Sequence, residues 1–187
     1  MFSKVFRSFS VSKQVAYLAI FIALSVAANS VLGIELSTSN KITFTYTVCF
    51  FAGYILGPVP AFLVGLIGDA IGFLISPVDV YWLYGLTLGM FGFLVGWIMN
   101  CIRREDKGWL FGKAILAFVV GFIVITCFLN TLVQYSYAYI FLWGGVAQKT
   151  FWVYLAGRLS MQSVVYAVNV AVCLIALPFC AKFKQKL

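Results

Sequence analysis

The stretch of sequence that decides the fold is LFGKAILAFVVGFIVITCFLNTLV, residues 110–133, in which Lys113 is the only charged residue. A helix of this length rises about 36 Å at about 1.5 Å per residue, and the hydrocarbon core of a bilayer is about 30 Å thick. The stretch therefore predicts a transmembrane helix.

The rest of the chain has the same apolar character. Of its 187 residues, 64% are hydrophobic and 10% are charged, and the mean hydropathy is +1.05. Soluble domains are about 45–50% apolar and about 25% charged. Five further apolar stretches cover approximately residues 14–33, 42–56, 61–75, 81–102 and 156–181. At roughly 20 residues per span, the sequence predicts an all-α integral membrane bundle of six transmembrane helices, forming a single domain over residues 1–187. The second and third stretches are short, so we expect them to tilt or to end inside the protein.

The distribution of basic residues predicts the orientation of the bundle. With the N-terminus in the cytoplasm, ten of the 13 Lys and Arg residues lie on the cytoplasmic side, and only Lys41 and Lys149 lie in outward loops. Cytoplasmic loops of membrane proteins carry such an excess of positive charge. We therefore expect both termini in the cytoplasm, with residues 1–13 as a basic arm. Residues 134–155, rich in Tyr and Trp, are predicted to be an extracellular loop and a candidate substrate lid.

The composition also excludes several kinds of chemistry. The absence of histidine excludes His-based catalysis and His-ligated metals. The five cysteines lie in or beside apolar segments without CxxC spacing, which is typical of small apolar fillers and not of a metal site. No GxxxxGK[ST] phosphate loop is present, so ATP hydrolysis by that route is excluded. We expect a chain that is not an enzyme and holds no metal or cofactor.

Polar residues at membrane depth are the candidates for ligand binding, because they are costly there and usually face protein or water. Arg158 and Gln162 share one face of the last predicted helix, and Asn130 and Gln134 share a face of the fifth. Aromatic residues in the outward loops are typical of an interfacial belt, and they could also stack on a planar ligand. The substrate-binding candidates are Arg158, Gln162, Asn130, Gln134, Lys149, Trp152, Tyr81, Trp82, Tyr84, Lys41 and Asp69. Snorkelling of Arg158 to the interface and a structural hydrogen bond of Asp69 remain alternatives.

Small residues repeat at helical spacing in the first and third apolar stretches. Ala19, Ala23 and Ala27 form a stripe at i, i+4 and i+8, and Gly65 begins a glycine-rich face. Such faces let another helix approach closely, either within the bundle or in a partner. We predict partner docking at these four residues, with internal packing as the alternative.

Taken together, the chain resembles the substrate-binding (S) components of energy-coupling factor (ECF) vitamin transporters over nearly its whole length. The alanine stripe matches the small-residue motif with which that family docks on its transmembrane coupling subunit. The segments AGYILGP (52–58), GLIGDAIGFLISP (65–77) and GRLSMQ (157–162) are similar to those of the folate-type members.

The resemblance implies a vitamin-binding subunit of an importer in the bacterial plasma membrane, with folate as the preferred ligand. It implies a transmembrane coupling subunit and two cytoplasmic ATPase subunits as partners. Arg158, Lys149 and Lys41 would then be available to the folate carboxylates. The alternatives are an S component for riboflavin, thiamine, pantothenate or a queuosine precursor, and a non-catalytic scaffold subunit. An intramembrane enzyme is disfavoured because Asp69 is alone and histidine is absent.

Overall fold

A computed structural model of the protein describes residues 2–30, 32–37, 40–75, 83–101, 106–146 and 148–186. Its helices are α1 (Lys4–Ser8), α2 (Val11–Ser30), α3 (Thr45–Ile55), α4 (Pro58–Ile75), α5 (Tyr84–Cys101), α6 (Lys107–Val120), α7 (Thr131–Tyr137) and α8 (Phe151–Lys186). A π-helical segment, π1 (Gly121–Asn130), joins α6 to α7, and a second, π2 (Ala138–Leu142), follows α7. Together they form one long helix that continues to residue 142. Strands β1 (Ile34–Ser37) and β2 (Asn40–Ile42) pair antiparallel between α2 and α3.

The prediction of an all-α membrane bundle is confirmed. Five helical segments of the described chain are long and apolar enough to cross a bilayer: Val11–Ser30, Pro58–Ile75, Tyr84–Cys101, Gly108–Leu142 and Gln162–Lys186. The sixth apolar helix, α3, has 11 residues, or about 16 Å. Nearly all of α3 is buried by its neighbours, so it crosses only part of the bilayer depth inside the protein.

Two predicted segments differ from the structure. Helix α4 begins at Pro58, three residues earlier than expected, because proline suits the first turn of a helix. Most of the predicted loop 134–155 is helical, since the long helix continues to residue 142 and α8 begins at Phe151. The connection between the two helices shrinks to residues 143–150. The apolar pattern also does not predict β1 and β2, because each strand is only three or four residues long.

Glycine residues set the closest helix contacts. A Cβ atom on Gly65 would lie 2.6 Å from the backbone nitrogen of Gly89, and one on Gly96 would lie 2.6 Å from Pro58. The α4–α5 contact is therefore nearly backbone on backbone, as in other membrane helix pairs with small residues at the interface. Gly65 is buried in this contact, so its predicted role in partner docking is wrong. A glycine-rich sequence identifies a close contact without saying whether the partner helix is internal.

The end of the bundle that holds the chain termini, the terminal end, is tied together through α3. The last four carbonyl groups of a helix lack intrahelical donors. Here the carbonyls of residues 53–56 all accept hydrogen bonds from distant groups. The donors are Asn100 Nδ2 to Gly53 (3.0 Å), Lys184 Nζ to Tyr54 (2.8 Å), Ser3 Oγ to Ile55 (2.6 Å) and Ser3 N to Leu56 (3.0 Å). This capping explains how a short helix can end inside a membrane protein.

Candidate functional site

A polar cluster lies at the opposite end, the hairpin end, where β1, β2 and the start of α3 are found. Asn130, Thr131 and Gln134 project from the long helix into the protein and are 1–4% exposed. Arg158, in the second turn of α8, is half-buried, and its Nη1 atom lies 3.5 Å from the Thr131 hydroxyl oxygen. We call these four residues the outer polar cluster: Asn130, Thr131, Gln134 and Arg158. All of them except Thr131 were predicted from the sequence.

The buried polar groups of this cluster are not all paired within the described residues. The Asn130 Oδ1 atom is buried and accepts no hydrogen bond from any described residue, and the Gln134 side chain is 4% exposed. An unsatisfied buried polar group costs about 1–3 kcal/mol. Arg158 forms a single long hydrogen bond within the described chain, although a guanidinium offers five N–H donors. The cluster therefore has unused donors and acceptors that a polar ligand could satisfy.

The π-helical geometry of π1 explains why these side chains converge. A π-helix closes i→i+5 hydrogen bonds, so residues about five apart stack on one face. Gly121, Thr126 and Asn130 are accordingly all buried, and the Thr131 hydroxyl donates to the carbonyl of Thr126, five residues earlier, at 3.3 Å. Such π segments are rare and often occur at functional sites.

Below the outer polar cluster lies an aromatic layer. The Tyr46 ring packs on Tyr166 with 4.7 Å between centroids, and Phe122 packs on Tyr166 at 4.9 Å. The Thr126 hydroxyl donates to the Tyr166 hydroxyl at 2.9 Å. Since Thr126 lies one turn before Asn130, these rings form a floor under the carboxamides. Flat aromatic surfaces beside a few polar groups suit a planar ligand.

Two further predicted residues lie near the cluster. Tyr84, the first residue of α5, is half-buried at the same end of the bundle. Gln162 is half-buried one turn after Arg158 on α8. Together with Asn130, Gln134 and Arg158, they form the part of the predicted site that the structure brings to one end.

Asp69 lies in α4, as predicted, and forms a hydrogen bond with α2. Its Oδ1 atom accepts a hydrogen bond of 3.3 Å from Asn29 Nδ2, which joins α4 to α2. The alternative stated for Asp69, a structural hydrogen bond, is the arrangement observed.

Trp152 and Lys149 do not contact the outer polar cluster in the described chain. Trp152 is 71% exposed on the first turn of α8 and packs against Phe151, which is typical of an interfacial tryptophan. The Lys149 side chain is exposed, and its backbone carbonyl accepts a hydrogen bond of 2.9 Å from the Tyr135 hydroxyl. The side chain of Lys41 and the whole of Tyr81 and Trp82 lie outside the described residues.

The predicted alanine stripe is on the surface. Ala19 and Ala23 are exposed and Ala27 is half-buried, whereas Ser25 and Ala28 face the bundle. Helix α2 thus presents a shallow small-residue face outward along its length. This placement leaves the stripe accessible to a partner helix.

Sequence reasoning missed Thr131 and did not single out Tyr46. Thr131 follows Asn130 directly, but an α-helical wheel turns the two side chains about 100° apart. The π segment reduces that separation, and its presence is not visible in the residue pattern. Tyr46 belongs to the site because the short helix α3 begins there, which is a tertiary feature.

These observations define a class: a multi-pass helical membrane protein with a partly unsatisfied polar cluster at one end and an exposed small-residue face. The family model described as "ECF-type riboflavin transporter, S component" matches residues 9–179. Because this match covers most of the chain, the protein belongs to that family of S components.

Relatives support the same assignment. A UPF0397 protein of Exiguobacterium sp. is 33% identical over 138 residues, 69% of this chain and 73% of the relative. A UPF0397 protein of Streptococcus gordonii is 31% identical over 54% of each chain, and an uncharacterised MG313 homologue of Mycoplasma pneumoniae is 30% identical over 58% of this chain. The match spans only 39% of the Mycoplasma protein.

A solved structure shares the fold. The crystal structure of FolT bound with folic acid superposes with a TM-score of 0.66 over 87% of this chain and 91% of the other, at 22% identity. This similarity shows a common arrangement of helices, in agreement with the family assignment.

Proposed function

We propose that this S component binds folate at the outer polar cluster. The observation that carries the proposal is the buried Asn130 Oδ1 atom, which has no donor among the described residues, beside the buried Gln134 side chain and the Arg158 guanidinium with its single long hydrogen bond. The pterin ring of folate is planar and carries donors and acceptors along its edge, which suits two carboxamides above the Tyr46–Tyr166 floor. The glutamate tail carries two carboxylates, which suit Arg158.

Riboflavin is the second candidate, and the description of the matching family names it. Its isoalloxazine ring is also planar with a polar edge, so the carboxamides suit it equally well. Its ribityl chain is neutral, however, and gives Arg158 no anionic partner. The charge of Arg158 therefore favours folate, as does the fold shared with a folate-bound structure.

We infer the remaining features of the transporter from the family. The basic residues place both termini, and with them the terminal end, in the cytoplasm. The outer polar cluster then faces the cell exterior, where the vitamin is captured, and residues 143–150 together with the neighbouring helix ends could cover it. The alanine stripe of α2 would dock on a transmembrane coupling subunit, and two cytoplasmic ATPase subunits would supply the energy for release.

The first test is vitamin binding to the purified protein in detergent. Binding is monitored by the quenching of the fluorescence of its five tryptophans. Folate, 5-formyl-tetrahydrofolate, riboflavin, thiamine and pantothenate are titrated in parallel, after removal of any vitamin carried through purification. We expect saturable binding of one folate per protein and no fluorescence quenching by the other vitamins. Tight binding of riboflavin alone would overturn the folate assignment and keep the family assignment.

The Arg158→Ala variant tests the site directly. We expect its Kd for folate to rise about 30-fold or more, because removing one partner of a desolvated charge pair costs about 2–5 kcal/mol. Lys186→Ala, which removes an exposed cation at the terminal end, is the control and should bind folate normally. An Arg158→Ala variant with the parent affinity would place the folate carboxylates elsewhere.

The docking proposal is tested by Ala23→Leu. The larger side chain protrudes from the exposed face of α2, so folding and folate binding of the isolated subunit should be unchanged. Co-purification with co-expressed coupling and ATPase subunits should be lost. Ala167→Leu, on the exposed surface of α8, is the matched control and should assemble normally. Normal assembly of Ala23→Leu would show that docking uses another surface.

A further inference from the structure

An apolar groove lies at the terminal end, away from the outer polar cluster. It has a volume of about 180 Å³ and lies between α1, α2 and α4. Six of its lining residues are apolar: Phe2, Phe6, Val15, Leu18, Pro60 and Leu63. The seventh, Gln14, uses its Nε2 atom to donate to the carbonyls of Phe6 and Phe9, each at 3.1 Å. The groove is therefore built from hydrocarbon, and its one amide donor is already engaged.

The groove is a fixed part of the fold. Helix α1 is held against the bundle by the two hydrogen bonds of Ser3 to the end of α3, and by Phe6, which is 4% exposed. Gly57 adopts a φ of +106°, and a Cβ atom there would lie 2.5 Å from the Ser3 nitrogen. The chain thus forms a tight corner that keeps α1 and its aromatic rings in place.

The position of the groove identifies its surroundings. Val15 and Leu18 lie in the first two turns of the span α2, and Pro60 and Leu63 lie in the first two turns of the span α4. The groove is therefore within about 10 Å of one membrane interface, at the depth of the upper acyl chain. Val15 is 61% exposed, so the groove is accessible from the bilayer.

Cationic residues accompany this apolar groove. Arg7 follows Phe6 in the chain and Lys13 precedes Gln14, and both side chains are exposed. Basic residues at a membrane interface attract anionic lipid headgroups, and long cationic side chains extend toward that interface. A hydrocarbon groove next to two interfacial cations has the chemistry of a phospholipid with a net negative charge.

We propose that this groove binds one anionic phospholipid, with an acyl chain between α1, α2 and α4 and the headgroup near Arg7 and Lys13. The bound lipid would complete the packing of α1 against the spans on the side that bears the basic arm. This site is independent of the vitamin site, so neither proposal depends on the other.

The test is lipid retention by the full chain in nanodiscs that contain phosphatidylglycerol and phosphatidylcholine with the same acyl chains. After release into detergent, native mass spectrometry counts the lipids that remain bound. The parent protein should retain one phosphatidylglycerol in preference to phosphatidylcholine. Equal retention of the two lipids, or retention of none, would overturn the proposal.

Variants separate the contribution of the groove from that of the charges. Val15→Trp fills the groove and should lose the retained lipid, whereas Ile175→Trp, at a 71% exposed position of α8, should keep it. Arg7→Gln and Lys13→Gln should keep a lipid but each lower the preference for phosphatidylglycerol about fivefold. Lys186→Gln is the control for a cation outside the groove. If Val15→Trp keeps the lipid and instead fails to assemble with the partner subunits, the groove binds protein and the lipid proposal is wrong.

Discussion

The buried polar groups at the terminal end of this bundle are paired within the chain, whereas at the hairpin end some are paired and some are not. At the terminal end, each of the last four carbonyls of α3 accepts a hydrogen bond from another part of the chain. At the hairpin end, the buried Asn130 carboxamide oxygen has no donor within the described chain, and Arg158 forms one long hydrogen bond. Since an unpaired polar group costs free energy, the pairing at the first end stabilises the fold, whereas the unpaired groups at the second end do not.

A pair of asparagines sharpens this contrast. Asn169 is fully buried, and its Oδ1 atom accepts from the Thr47 nitrogen (3.1 Å) and hydroxyl (2.8 Å). Its Nδ2 atom donates to the carbonyls of Thr43 (2.9 Å) and Val165 (2.8 Å). Asn130 is equally buried and has none of these bonds. The same residue type therefore has a structural role in α8 and a proposed ligand role in the long helix.

The largest expected effect on stability is that of Asn169→Leu. The change leaves the buried Thr47 nitrogen without an acceptor and leaves its hydroxyl only the Asn169 carbonyl at 3.5 Å, so the free energy of unfolding should fall by about 3 kcal/mol. This loss is measured by unfolding the purified protein in mixed micelles and monitoring its tryptophan fluorescence. A variant as stable as the parent would mean that water replaces these bonds and that the join between α3 and α8 is not structural.

Asn130→Leu is the matched substitution at the hairpin end. Because the Asn130 Oδ1 atom accepts no hydrogen bond from the described residues, the free energy of unfolding without ligand should stay the same or rise. The Kd for folate should rise about 10- to 100-fold, since a ligand group then stays unpaired. Unfolding and folate titration of the same preparation give both quantities. Destabilisation comparable to that of Asn169→Leu would remove the distinction between the two asparagines.

The smallest expected effect is that of Lys184→Met at the terminal end. Lys184 donates to the Tyr54 carbonyl, and its Nζ atom lies 4.0 Å from the centre of the Tyr54 ring. Methionine retains most of the apolar stem but not the charge, so the free energy of unfolding should fall by about 1 kcal/mol. Folate affinity should match that of the parent, because the site lies at the other end. A tenfold change in Kd would show that the two ends are coupled.

Much of the fold was predictable because a bilayer imposes simple rules. Apolar stretches long enough to span the hydrocarbon core identify the spans, and the long helix around residues 110–133 was located in this way. The exact helix lengths were not predictable. Residues 134–142 are rich in aromatic side chains, which suit a membrane interface both in a loop and on a helix.

The candidate site was predictable in part. Asn130, Gln134 and Arg158 stand out because polar residues are rare in apolar spans. The sequence does not distinguish Asp69, bonded to Asn29, from Asn130, which has no partner, because both are polar residues in the middle of apolar runs. The distinction depends on which neighbour each side chain meets across the bundle.

By itself, the sequence determined that this protein is a helical membrane bundle of the S-component type. These properties depend on composition, span length and short motifs, which are local. The tertiary structure alone decided that Gly65 packs inside, that the alanine stripe faces outward and that Thr131 meets Arg158. The physical reason is that helix faces and π-helical rotation are fixed by packing between distant segments, and no local pattern records that packing.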